Sequence, residues 1–320
     1  MMGGRTRLRA GLLAMSLAAL AACEPTAPIT SPTPAARPER AAPEPESQSP
    51  TTRSQTSYEL ARYYKRVQAD LLTQGLLRTD GGGPDTPFAA HNLANNFVRI
   101  ALYDEYVSRG GRLVAQQTAS RLRRWEMPVR LQMHFGQTID PAQRTRDSNA
   151  LASYSRRLRQ ATGHSIAMAQ SNGNFHVLVM HEDDRRKSGP LLRQLVPGID
   201  ETAVRTVENM PRETFCLVFA FSRGENPAYT RAVAVIRGEH PDLLRLSCIH
   251  EEVAQGMGLA NDSPKARPSI FNDDEEFALL TTHDELLLRI LYDRRLRTGM
   301  DATEARPTVT LIANELMGGT

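Results

Sequence analysis

The chain has 320 residues, with 39 Lys+Arg against 36 Asp+Glu and a formal net charge of +3, long enough for one large core or two that share one. The basic excess lies in the first 22 residues: Arg5, Arg7 and Arg9 account for it, and without them 36 basic residues face 36 acidic ones. This balance removes the electrostatic case for nucleic-acid binding, and no apolar run is long enough to span a membrane comfortably.

The N-terminus reads as a targeting segment. The three arginines precede an apolar run from Leu12 to Leu20, which ends in Leu20-Ala21-Ala22-Cys23. Small residues ahead of a cysteine resemble a bacterial lipoprotein box. The resemblance implies cleavage before Cys23, acylation of its thiol, and anchoring to a membrane of the bacterial cell envelope, on the periplasmic side. An ordinary secretory signal cut at the same residues is the alternative. In both cases residues 1–22 are a signal peptide and the mature chain lies outside the cytoplasm. Residues 23–57 form a proline-rich tether, with eight prolines in residues 24–56 and no apolar periodicity. Such a segment buries too little apolar surface to offset the entropy of ordering it.

Beyond the tether, an N-terminal helical segment is expected over residues 58–124. Leu60, Tyr63, Tyr64, Val67 and Leu71 recur at helical spacing, predicting a helix from Tyr58 to Leu77. Arg78 to Pro87 is a loop, and its Gly81-Gly82-Gly83 lacks the Lys-Ser/Thr that a phosphate-binding loop needs. Two more helices are predicted, Phe88 to about Val107 and Leu113 to Leu122. The pattern then changes. Pro128 to Phe135 alternates like a half-buried strand. Asn149 to Ala161 is helical. Ser165–Ala169 and Asn174–Met180 read as strands joined in a hairpin by Ser171-Asn-Gly-Asn174. Short helices at Gly189–Leu195 and Asp200–Met210 precede two β-rich runs, Thr214–Phe221 and Tyr229–Ile236. From Pro241 onward only helices are predicted, including one opened by a capping box at Thr282–Glu285 and a last one from about Thr303 to Leu316. Residues 125–320 therefore read as an α+β domain, a mixed sheet with backing helices.

Only Cys216 and Cys248 remain besides Cys23. Two thiols in an oxidising compartment pair as a disulfide; the other state open to them is two buried free thiols. No second cysteine lies near either one, which argues against a zinc cluster or a CxxC redox site.

The stretch from Arg245 to Asp262 reads as a helix ending in a glycine turn, with Leu246, Ile249, Val253 and Met257 on its buried side and Gly256 and Gly258 at its stop. A zinc-peptidase helix needs His at i and i+4. From His250 the second position is Ala254, so that register fails. Shifted by one, Glu251-Glu252-Val-Ala-Gln255-Gly-Met-Gly258-Leu-Ala-Asn261-Asp262 is similar to the metzincin pattern HExxHxxGxxH. Tyr292-Asp293 at a helix end and the preceding Asp284 extend the likeness. So does the order of helix, strand and hairpin strands upstream. Over roughly residues 125–300 the chain resembles a zincin-like family of bacterial lipoproteins of unknown function.

This resemblance implies a zincin-like fold, with Glu252 as catalytic general base and Glu251, Gln255 and Asp262 (or Asn261) at the metal-ligand positions. Two imidazoles are replaced by a carboxylate and an amide. An oxygen set of that kind suits a hard divalent cation such as calcium or manganese better than zinc, and a helix that holds no metal is the other reading. His240, His250 and His283 are possible stand-in ligands whose ordinary roles are packing or capping. Met300 is placed like the methionine turn beneath a metzincin metal. The expectation is a membrane-anchored envelope lipoprotein with a non-catalytic binding or structural role, its partner an extended peptide along the sheet edge or an envelope protein. A metallopeptidase with unusual oxygen ligands is the alternative.

Overall fold

The computed structural model describes residues 52–109 and 112–318. The expected signal peptide, the expected acylation site Cys23 and the expected tether up to residue 51 lie outside the described residues. The tether's end is ordered. Ser54 caps α1 (Gln55–Thr73) by accepting the Ser57 N–H, its own N–H donates to Asp183, and the Ser57 hydroxyl donates to Glu239 at 2.5 Å. Tyr64, fully buried, fixes the other side of the helix by donating to the Arg212 carbonyl.

α2 (Ala90–Ala101) stops sooner than expected. The end of that predicted helix and the next one, Leu113 to Leu122, are replaced by an antiparallel hairpin, β1 (Tyr103–Arg109) and β2 (Arg112–Ala119). Tyr103, Tyr106, Val107, Leu113 and Val114 favour strand, and Gly110-Gly111 between the two runs is a turn signal. α2 packs against the last two helices of the chain.

The five-stranded sheet begins with β3 (Val129–Phe135) and continues after α3 (Pro141–Thr162) with β4 (Ile166–Met168) and β5 (Phe175–Met180). After the short helices α4 (Glu182–Arg185), α5 (Gly189–Leu195) and α6 (Glu201–Glu208) come β6 (Cys216–Arg223) and β7 (Asn226–Arg237). The order is β4-β3-β5-β7-β6; all neighbours are parallel except β6, which pairs antiparallel with β7 and forms one edge. The fold is α+β with a mixed sheet, as the sequence implies. The expected β4–β5 hairpin is absent: both strands are parallel to β3, which lies between them. β5 is buried on both faces, the mark of a central parallel strand rather than a hairpin arm.

α7 (Asp242–Gln255), α8 (Thr282–Leu291) and α9 (Ala302–Leu316) complete the chain. Pro241 stands at the N-cap of α7 rather than in its first turn. The capping box of α8 is Thr281 with Asp284, one residue earlier than expected. The main core lies between one sheet face and the helices, with Phe175, Val177 and Val179 of β5 meeting Ile249, Val253, Leu287 and Ile290. The alternate residues Leu178 and Met180 face a smaller core with Leu192, Val204 and Val207 of α5 and α6. Cys216 and Cys248 form the disulfide, which ties the first residue of β6 to α7.

Candidate functional site

α7 delivers the candidate residues because its apolar side is committed: Ile249, Val253 and Met257 are fully buried. The helix ends at Gly256, where an added Cβ would lie 2.4 Å from the Phe175 ring. The chain then turns through Gly258 at φ +127, where a Cβ would meet the Arg123 carbonyl at 2.3 Å. Only glycine fits that position. Trp125 and Tyr292 brace the turn, donating to the carbonyls of Gly256 (2.8 Å) and Met257 (3.0 Å).

The turn brings Asp262 back beside the helix, where its carboxylate lies 3.5 Å from the Gln255 amide nitrogen. Asn261 does not join; buried, it donates to the Arg99 carbonyl at 2.8 Å and ties the turn to α2. Glu251 and Glu252 place carboxylate oxygens within 4.8 Å of each other and of Cys216 Sγ. That sulfur is bonded to Cys248 and offers no thiolate. Glu252 is 4 % exposed, and its Oε2 has no hydrogen-bond partner. Glu251 and Asp262 are half-buried.

Two more acids face the group from other elements. Glu105 arrives from β1 at a register irregularity between Asp104 and Tyr106. Such irregularities re-aim side chains and recur beside functional sites. Glu275 comes from the loop before α8 and holds a left-handed backbone at φ 57. Neither was identified from the sequence, since Glu105 falls in a segment read as helix and Glu275 lies beyond the Arg245–Asp262 stretch.

The electrostatics follow from crowding. Burial first, then Glu252, Asp262, Glu275 and Glu105, push the Glu251 carboxyl well above the usual carboxylate range. Burial, with Glu105 and Asp262, does the same to Glu252. Asp262 is raised by burial, Glu105 and Asp273 against a lowering contact from Gln255. Glu275 is pushed up to about 7 by burial, Asp273 and Asp274. Among the described residues no arginine, lysine or histidine forms an ion pair with Glu251, Glu252, Asp262 or Glu275.

The stand-in ligands are used elsewhere. His250 stacks on Tyr154 at 3.9 Å and accepts the Leu280 N–H through Nδ1; burial takes its pKa down to about 3. His283 is fully buried, against Asn96 and Phe88. His240 lies edge-on to Tyr64 and beside the Cys248 sulfur. Asp284 caps α8 and holds Ser269 and Ile270. Met300 accepts the Leu122 N–H through its carbonyl. A separate groove of about 610 Å³ opens at the far edge of the sheet, between α3 and β4, and no site residue lines it.

A pH dependence follows. Unfolded carboxyls release their protons near pH 4, at about 3.9 for Asp and 4.3 for Glu, whereas burial and crowding raise Glu251, Glu252 and Asp262 well above that range and Glu275 to about 7. Over that window the folded state holds more protons than the unfolded, so stability falls as pH rises, by about 1.4 kcal/mol per pH unit for each proton retained. Thermal unfolding in chelator is expected to give a higher midpoint at pH 5 than at pH 8. Glu252→Gln should flatten this slope and raise the midpoint at pH 8. Parallel pH profiles for the two proteins would show that Glu252 does not carry the shift.

Comparison with known families gives one match. Residues 90–310 match the family model described as "Protein of unknown function (DUF2927)", which spans every element of the site. No curated protein and no solved structure matches the chain.

Proposed function

We propose that this chain, which belongs to the DUF2927 family, is a lipid-anchored protein of the bacterial cell envelope whose zincin-like domain binds an extended peptide without cleaving it. The observation that carries this reading is the donor set: a carboxylate and an amide stand at the first two ligand positions, where a zinc peptidase has imidazoles. In the metzincin register the base is Glu252 and the ligand positions are Glu251, Gln255 and Asp262. A general base needs a charge at working pH, and burial with like-charge crowding raises these carboxyls well above the usual carboxylate range, which works against that charge. The nearby imidazoles are taken up by the core. Among the described residues β6 is the outermost strand and pairs with β7 alone, so its second edge offers the backbone groups that strand addition uses. The envelope location rests on Arg5, Arg7, Arg9 and the Leu20–Cys23 box.

A second reading, a metal-dependent peptidase, is favoured by the orphaned Glu252 Oε2. Its donors would be the oxygens of Glu251, Gln255 and Asp262, a set that fits calcium or manganese rather than zinc. Such an ion would draw the protons off the cluster and leave Glu252 charged. Hydrolysis of a fluorogenic peptide library in the presence of each cation separates the two readings. Wild type and Glu252→Gln are expected to show the same background. Activity that falls about a hundredfold or more in Glu252→Gln, as loss of a general base would produce, would reverse the assignment.

A further inference from the structure

The other deeply buried carboxylates of this protein each have partners. Glu182 contacts Arg185 and Arg237. Asp147 contacts Arg245. Asp284 takes Ser269, Thr281 and two backbone N–H groups, and Glu239 takes Ser57 and the Glu182 N–H. The group at the end of α7 departs from this rule. Glu251, Glu252, Asp262 and Glu275 converge without an ion pair among the described residues. The floor of the group is Glu252, 4 % exposed and with one oxygen unpartnered, while Glu251, Asp262, Glu275 and Glu105 are half-buried and leave it a mouth. Burying carboxylates without a partner is costly, and the cost falls when a cation from outside completes the set.

The position of the group says where that cation comes from. Cys216, the first residue of edge strand β6, touches it. Along β6, Cys216, Val218 and Ala220 face the main core, and Leu217, Phe219 and Phe221 the smaller one. A strand added beside β6 would carry the same alternation. Its residue opposite Cys216 on the α7 side would lie at the acids, and the next residues on that face beside Val218 and Ala220.

We propose that the acid group of Glu251, Glu252, Asp262 and Glu275 is a pocket for a lysine or arginine side chain, carried by an extended peptide that pairs with the free edge of β6. The inference rests on the peptide-binding reading above and narrows its partner to a basic residue followed by apolar ones at alternate positions.

The test uses the purified full chain and a blocked decapeptide of alternating Val and Thr with one central Lys, against the same peptide with norleucine in place of Lys. In calorimetry at pH 7 the lysine peptide is expected to bind about tenfold tighter or more, the difference one charge-assisted contact supplies. Glu252→Gln with Asp262→Asn should bring the ratio close to one while circular dichroism and the unfolding midpoint show a folded protein. Equal binding of the two peptides would overturn the pocket and leave strand addition standing. Failure of both peptides would remove strand addition. The pocket is then decided by thermal shift with arginine amide against citrulline amide, a shift for the first alone, lost in the double variant, being the result it requires. Saturable calcium or manganese binding that the double variant abolishes, with no preference for the cationic probes, would assign the acids to a metal instead.

Discussion

Replacing Glu182 with alanine is expected to cost about 3–5 kcal/mol of folding stability, the usual cost of stripping one partner from a buried ion pair. Glu182 opens α4 and is 4 % exposed. Its Oε2 accepts from Arg185 at 2.6 Å and from Arg237 at 2.9 Å, and its Oε1 from Arg186 at 2.6 Å. Burial works against its charge, but the arginines prevail and hold its carboxyl below the usual range. Arg185 and Arg237 are themselves at most 1 % exposed. Without Glu182 two guanidinium groups remain in the interior with only carbonyl partners: Val207 for Arg185, and Thr214, Met210 and Pro211 for Arg237. The Val207 carbonyl lies in the last turn of α6 and the other three between α6 and β6, so the damage reaches the edge strand proposed to bind peptide. Urea unfolding checks this. A midpoint within the error of wild type would mean that the carbonyls alone satisfy both arginines.

Removing the Cys216–Cys248 bond, by reductant or by replacing both residues with alanine, is expected to cost about 3–4 kcal/mol on the chain-entropy account of a cross-link spanning 32 residues. The bond joins the start of β6 to α7, and its Cys216 sulfur abuts the Glu251 and Glu252 carboxylates. Its loss therefore loosens the strand and the acid group together. Reduced wild type and the double variant should unfold at the same urea concentration, both below oxidised wild type. If reduction leaves the midpoint unmoved, the cross-link contributes nothing to the folded state and the β6–α7 junction is held by packing alone.

Much of this arrangement was legible in the sequence because the signals were local. The alternation of Val129, Leu131, Met133 and Phe135, the apolar stripe of α7 and the Asp200 cap of α6 each name an element without reference to the rest of the chain. Failures came where a tertiary partner decided. Residues 103–119 carry strand formers around Gly110-Gly111, but the helical pattern running up to Ala101 masked the change. Ser171–Asn174 has hairpin chemistry, yet Asn174 accepts the Arg130 N–H and Gly173 donates to Gln132, so both neighbours belong to β3, and the turn serves a crossover. At the site, the register from Glu251 to Asp262 located the acids of α7, and the structure chose Asp262 over Asn261. Glu105 and Glu275 could not be read, because they reach the group from 146 residues before Glu251 and 24 after it, through an irregular strand and a left-handed turn. The histidines show the reverse. In the sequence they are possible stand-in ligands whose ordinary roles are packing or capping, and Tyr154, Leu280, Asn96 and Tyr64 hold them in the interior.

The central claim is that the α7 site binds without metal-dependent hydrolysis. Metal content tests it most directly, measured by mass spectrometry on protein purified without chelator or polyhistidine tag and then incubated with zinc, manganese and calcium in turn. The expected result is far less than one ion per chain, unchanged by Glu251→Ala with Gln255→Ala. One equivalent of any of the three, lost in that double variant, would contradict the claim and make the oxygen-ligand metallopeptidase the better reading.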